Sequence, residues 1–197
     1  MGTDNHAPLI LTLRFDDASF ARFDGERRRH FPHGRNLVPA HLTLFHHLPG
    51  ERLGEIRDVL SALAAGQSAF TLAVSALRFL GQGTAYGIES AELETLRAGL
   101  AARWQKDLTR QDAQRFRPHV TIQNKTPAAQ AKSLFEALDA EFRRFEAGAT
   151  GLLLWHYRGG PWDAAGEFRF ANGCGHVHNK KGGAGAPPLS GADMTAC

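Results

Sequence analysis

His41-Leu42-Thr43-Leu44 occurs again as His119-Val120-Thr121-Ile122. Each copy is a histidine, an apolar residue, a threonine and a second apolar residue. In an extended strand alternate side chains take opposite faces. The histidine and threonine of each copy therefore point one way, and the two apolar residues point the other. One face is sealed into a core while the opposite face presents an imidazole and a hydroxyl. Two such faces brought together place two histidines and two threonines around one small anion, which is a site suited to phosphate chemistry.

The flanking sequence supplies the scaffold. Residues 9–15 read as a first, largely buried strand, and Asp16 and Asp17 introduce a helix over 18–30 with Phe20, Phe23 and Arg27 near one side. Arg27, Arg28, Arg29, His30 and His33 form a basic cluster, readable as a solvated helix end or as a rim for a phosphate backbone. Pro39 opens a strand over 40–48 that carries the first motif. An amphipathic helix over 51–65, a strand over 68–80, a Gly81-Gln82-Gly83 turn and a strand over 84–89 follow. A helix over 90–104 buries Leu93, Leu96, Leu100 and Trp104, and 107–114 is polar and helical or looped. The second motif strand spans 118–123. Thr126-Pro127 then starts a helix to about residue 144. Strands at 150–158 and 166–170 close the pattern. The motif strand precedes a helix and then a strand pair in both halves, so the fold class is α+β, with two similar lobes around a central cleft. Residues 1–171 form this domain. Residues 172–197, rich in Gly, Ala, Pro, Ser and Lys, read as a disordered tail.

Whole-chain properties bound the function. A length of 197 residues suffices for one domain or two small lobes with a substantial core. Hydrophobic residues make up 43% and aromatics 9%, ordinary values for a globular protein. A net charge of +3 suits an anionic ligand without demanding one. Only Cys174 and Cys197 carry thiols, so no disulfide framework is expected and a reducing compartment is the simpler reading. No signal peptide and no apolar run of membrane-spanning length are found. The expectation is a cytoplasmic monomer with no membrane partner.

The motif residues match the needs of in-line displacement at a phosphodiester. One group takes a proton from the nucleophile and another gives one to the leaving oxygen; histidine suits both roles. Threonine hydroxyls donate to the non-bridging oxygens as their charge grows. Neither a metal nor a cofactor is needed for this scheme.

The paired His-x-Thr motifs resemble those of the two-histidine phosphoesterase superfamily, in particular its bacterial 2′-5′ RNA ligase-like branch. The resemblance extends over most of 9–170 and includes Arg35-Asn36 before Pro39-Ala40-His41, the Phe116-Arg117-Pro118-His119 approach and residues 152–162. It implies two α+β lobes related by a pseudo-twofold axis, with the four motif residues meeting in the cleft. It also implies opening of 2′,3′-cyclic phosphates, or cleavage and joining of 2′-5′ RNA linkages. Carried over residue by residue, His41 and His119 become the acid–base pair and Thr43 and Thr121 the phosphate-holding hydroxyls. His119 is assigned as base toward water and His41 as acid toward the leaving 2′ oxygen, the roles exchanging for ligation.

Strand parity adds weaker substrate-binding candidates. Phe45 shares a face with His41 and Thr43 and either packs or stacks a base, whereas His46 is expected on the opposite face. Arg117 and, if the strand continues, Lys125 share parity with His119 and are candidate phosphate contacts. Trp155, Tyr157 and Trp162 are core candidates, one of which is placed to stack on a nucleobase. Two rival readings remain. Cys174, His176 and His178 cluster in the tail without a matching second set of metal ligands. A non-catalytic RNA- or nucleotide-binding module would keep the basic rim without needing both histidines.

Overall fold

The structure, a computed structural model, describes residues 6–171. The expected tail, including Cys174, His176 and His178, lies outside the described residues. Strand β1 is Leu9–Phe15, and helix α1 is Asp17–His30, capped by Asp16, which accepts a hydrogen bond from the Ser19 amide at 2.7 Å. There follow β2 (Thr43–Leu48), α2 (Leu53–Gly66), β3 (Phe70–Phe79) and β4 (Thr84–Glu89). The second half holds α3 (Ala91–Arg103), β5 (His119–Gln123), α4 (Ala128–Glu141), β6 (Phe145–His156) and β7 (Asp163–Arg169).

The strands form one antiparallel sheet in the order β2-β1-β6-β3-β4-β5, with β7 on the free edge of β6. β6 serves both lobes. Its first residues, from Phe145 to Ala149, pair with β3; from Ala149 onward it pairs with β1, and from Gly151 also with β7. One lobe is therefore β2-β1-β6-β7 and the other β6-β3-β4-β5. Helix α2 covers β6 and β7, α4 covers β3 and β4, and α1 crosses from the first lobe to lie on β5 of the second. Among the described residues no helix is long and apolar enough to cross a membrane.

The apolar stripes read from periodicity become the core. Leu93, Leu96, Leu100 and Trp104 are buried, as are Ile56 and Leu60 of α2 and every apolar residue of β1. The boundaries move most at β2, α4, β6 and β7, the last starting at Asp163 rather than residue 166. β2 begins at Thr43 rather than residue 40, although Leu42 stays tied to β1 through the Leu13 amide at 2.9 Å. Helix α4 ends at Glu141, where Phe142 turns extended, and β6 starts at Phe145 rather than residue 150. This earlier start lets β6 reach β3 and join the lobes. Pro127, not Thr126, occupies the N-cap of α4, and the Thr126 hydroxyl bonds the Asn124 carbonyl instead.

Candidate active site

The motif strands β2 and β5 lie at opposite ends of the sheet order, yet His41, Thr43, His119 and Thr121 line one cavity of about 170 Å³. The sheet must curl to bring its two ends together. Helix α1 holds them there. Arg27 is 4% exposed and donates from Nε to Asn36 Oδ1 at 2.8 Å and to the Val38 carbonyl at 3.1 Å. Its Nη1 reaches the Thr121 carbonyl at 2.8 Å. Asp24, one turn earlier, accepts from the Ala40 amide at 2.9 Å. One helix thus fixes the approach to the first motif and the middle of the second. Burial lowers the Arg27 guanidinium to about 10, against the pull of Asp24, so it remains charged at neutral pH. Arg27 is therefore a buried staple rather than part of a solvated helix end.

The two histidines are oriented in the same way. His41 Nδ1 donates to the Pro39 carbonyl at 2.8 Å, and His119 Nδ1 donates to the Arg117 carbonyl, also at 2.8 Å. A carbonyl only accepts, so the proton sits on Nδ1 and Nε2 is left for chemistry. Desolvation lowers His41 to about 4; the Pro39 bond opposes this, while Arg27, His119 and His46 add to it. His119 is also lowered, again chiefly by desolvation, with Arg78 and His46 contributing. Both rings are therefore neutral at pH 7. Trp162 lies against His41, ring centroids 4.7 Å apart, and is packed in turn by Trp155 at 6.1 Å.

Each motif strand carries a bulge just after its threonine. On β2, Thr43 faces Thr12 while Phe45 faces Leu11, leaving Leu44 as the extra residue. On β5, Thr121 faces Ala85 while Gln123 faces Thr84, leaving Ile122 extra. A bulge reverses the alternation beyond it. Leu44 and Phe45 are both buried, as are Ile122 and Gln123.

The parity expectations are corrected accordingly. Phe45 is fully buried and packs edge-on against Trp104 at 5.4 Å, so it has no face to offer a base. His46, expected to face away, instead lines the cavity with the four motif residues. On β5 the strand does not continue to Lys125. The chain turns there with Lys125 at φ 60°, and Asn124 and Lys125 border an adjoining cavity of about 320 Å³ with Thr121, His41 and Trp162. Arg117 precedes Pro118, outside the strand, and borders a separate depression with Arg78 and Arg115. What Arg117 supplies to the pocket is its carbonyl. Of the three aromatics, Trp162 borders the cavity, Tyr157 borders only the adjoining one, and Trp155 lines a third, largely apolar cavity of about 330 Å³ that also touches His41.

Two lobes meeting over paired His-x-Thr strands form the architecture of the two-histidine phosphoesterases. The chain belongs to the 2′-5′ RNA ligase superfamily, whose profile matches residues 15–161. None of the curated proteins matches it. Among solved structures it resembles TT0787 of Thermus thermophilus with a TM-score of 0.61 and 18% identity, over 84% of this chain and 98% of that one. It also resembles E. coli LigT complexed with 3′-AMP, with a TM-score of 0.55 and 15% identity, over 85% and 99% of the two chains. LigT complexed with phosphate matches with a TM-score of 0.54 and 16% identity over the same shares. At these identities the likeness is one of fold.

Proposed function

We propose that this protein is a metal-independent phosphodiesterase acting on 2′,3′-cyclic phosphates or 2′-5′-linked RNA and nucleotides, with 2′-5′ ligation as the reverse reaction. The observation that carries this reading is the convergence of His41, Thr43, His119 and Thr121 on one small cavity. A nucleotide ligand also fits the bordering features. Lys125, Arg35 and Arg27 supply positive charge on one side of His41, and an apolar cavity with Trp155 and Trp162 lies on another. The solved complexes of LigT with 3′-AMP and with phosphate are consistent with the same ligand class.

In the hydrolytic direction water attacks phosphorus. His119 Nε2 takes the water proton, and the bond from phosphorus to the leaving ribose oxygen breaks. His41 Nε2–H gives that oxygen its proton, so the two rings exchange protonation states while the phosphate opens. The hydroxyls of Thr43 and Thr121 donate to the non-bridging oxygens. His41 gains its proton only when the anionic substrate arrives. A proton held weakly in a desolvated pocket is then readily released to the leaving group.

The test is turnover of nucleoside 2′,3′-cyclic phosphates and 2′-5′-linked dinucleotides in excess chelator, for the wild type and for His41→Ala and His119→Ala. Each substitution should lower kcat by roughly 10²–10⁴-fold. Equal rates in all three proteins would remove the assignment. RNA binding without turnover, retained in both variants, would identify a binding module instead.

A further inference from the structure

The cavity contains a third histidine, and it is the one with a carboxylate behind it. His46 Nδ1 lies 2.9 Å from Asp112 Oδ1. Asp112 comes from the segment between α3 and β5 and is 3% exposed. Its two oxygens also accept the backbone amides of His46, at 2.9 and 3.0 Å, and of His47, at 3.0 Å. Burial raises the Asp112 carboxyl, but the ring and amide bonds outweigh it and hold the group below its ordinary value. As an ionised carboxylate it only accepts, so the His46 Nδ1 proton points at it and Nε2 is the nitrogen left for the cavity. His41 and His119 have only backbone carbonyls in the corresponding place.

The arrangement is built rather than incidental. The bulge at Leu44 turns His46 into the cavity, and Arg97, itself buried, spans the bulge and the Asp112 segment. It donates to the Leu44 carbonyl at 3.4 Å and to the Asp112 carbonyl, with its guanidinium 4.4 Å above the Phe45 ring.

We propose that His46 is a third catalytic residue which, held between the Asp112 carboxylate and the bound phosphate, donates Nε2–H to a non-bridging oxygen of the scissile phosphate, with Asp112 as its positioning residue. His46 transfers no proton; the proton transfers remain with His41 and His119. The pocket thereby gains a donor that stays on the phosphate while His41 gives up its proton, held in place by the Asp112 carboxylate behind it. The inference rests on the phosphodiester reading, and the experiment separates the two.

Two measurements are compared: calorimetric affinity for inorganic phosphate, and kcat and KM on a cyclic phosphate. In His46→Asn the shorter amide stands near the position of Nδ1 and can still bond Asp112, but nothing replaces Nε2. Phosphate affinity should fall roughly 10- to 100-fold, with kcat falling as well and little change in Tm. His46→Gln, whose amide reaches the place of Nε2, should recover part of the loss. Asp112→Asn should weaken phosphate binding similarly, and the double variant should be little worse than either single one. His47→Ala, exposed and outside the cavity, is the control. Wild-type phosphate affinity and kcat in both His46→Asn and Asp112→Asn would overturn the proposal, as would a loss confined to Tm. Phosphate binding that depends on His46 in a protein without turnover would refute the phosphodiesterase reading and the catalytic role with it, leaving His46 as a phosphate-binding residue.

Discussion

At the scale of single residues, the neutrality of the two motif histidines has a consequence in pH. Both rings hold a proton more weakly than a free histidine, His41 down to about 4 and His119 also lowered. The proposed reaction needs one ring protonated and the other not, so the free-protein profile is centred between two lowered values. The optimum of kcat/KM should lie on the acid side of 6.5. A bound phosphate favours protonation of both rings, so the optimum of kcat should lie at higher pH than that of kcat/KM. A pH series on a cyclic phosphate checks both, and coincident optima above 7 would contradict them. Stability carries the same sign. Between 6.5 and about 4 the unfolded chain binds more protons than the folded one, so His41 contributes full stability above 6.5 and loses it as pH falls through that window. His41→Gln should therefore lose less Tm than the wild type between pH 7 and pH 5.

At the scale of elements, α1 does what two separate strands cannot do for themselves. Arg27 satisfies three acceptors that belong to different lobes. Arg27→Ala removes a charged donor from these part-buried acceptors, and the loss should be about 2–3 kcal/mol. Urea unfolding measures it, and kcat/KM should fall alongside because the residue 36–40 approach and Thr121 come loose together. Stability within about 0.5 kcal/mol of the wild type would show the staple to be ornamental. Both motifs and the stripe of α3 are legible in the sequence because they obey fixed periods: Leu93, Leu96, Leu100 and Trp104 are buried and the two threonines face the cavity, whereas Phe20 of α1, read on one side with Phe23, is exposed. Positions past Thr43 and Thr121 are not legible, because an extra residue in a ladder leaves no mark in a two-residue period. His46 and Phe45 exchanged faces for that reason alone. Asp112 was hidden differently: it sits in a polar, non-periodic segment, and only the fold brings it beneath β2. A His-His pair directly after an apolar strand core was the one local hint.

At the scale of the whole molecule, β6 makes the two lobes one unit. It pairs with β3 through its first half and with β1 and β7 through its second, and at the crossover Gly148 receives the start of α1. The Gly148 carbonyl accepts the Asp16 amide at 2.9 Å, and its own amide donates to Ser19 Oγ at 3.0 Å. A side-chain carbon at Gly148 would overlap Asp16 Oδ2, the carboxylate that caps α1. Gly148→Ala must therefore displace the cap of the helix that carries Asp24 and Arg27, at a cost of about 1–3 kcal/mol. Because both lobes hang on the same strand, the loss should appear as a lower midpoint of a single transition, with far- and near-ultraviolet circular dichroism curves superimposing. Activity should fall as well, although Gly148 lines none of the cavities at the site, since the displaced helix no longer holds the two sheet ends in register. Two resolved transitions, one per lobe, would mean that β6 connects the halves without coupling them, and the curl that closes the active site would then need another cause.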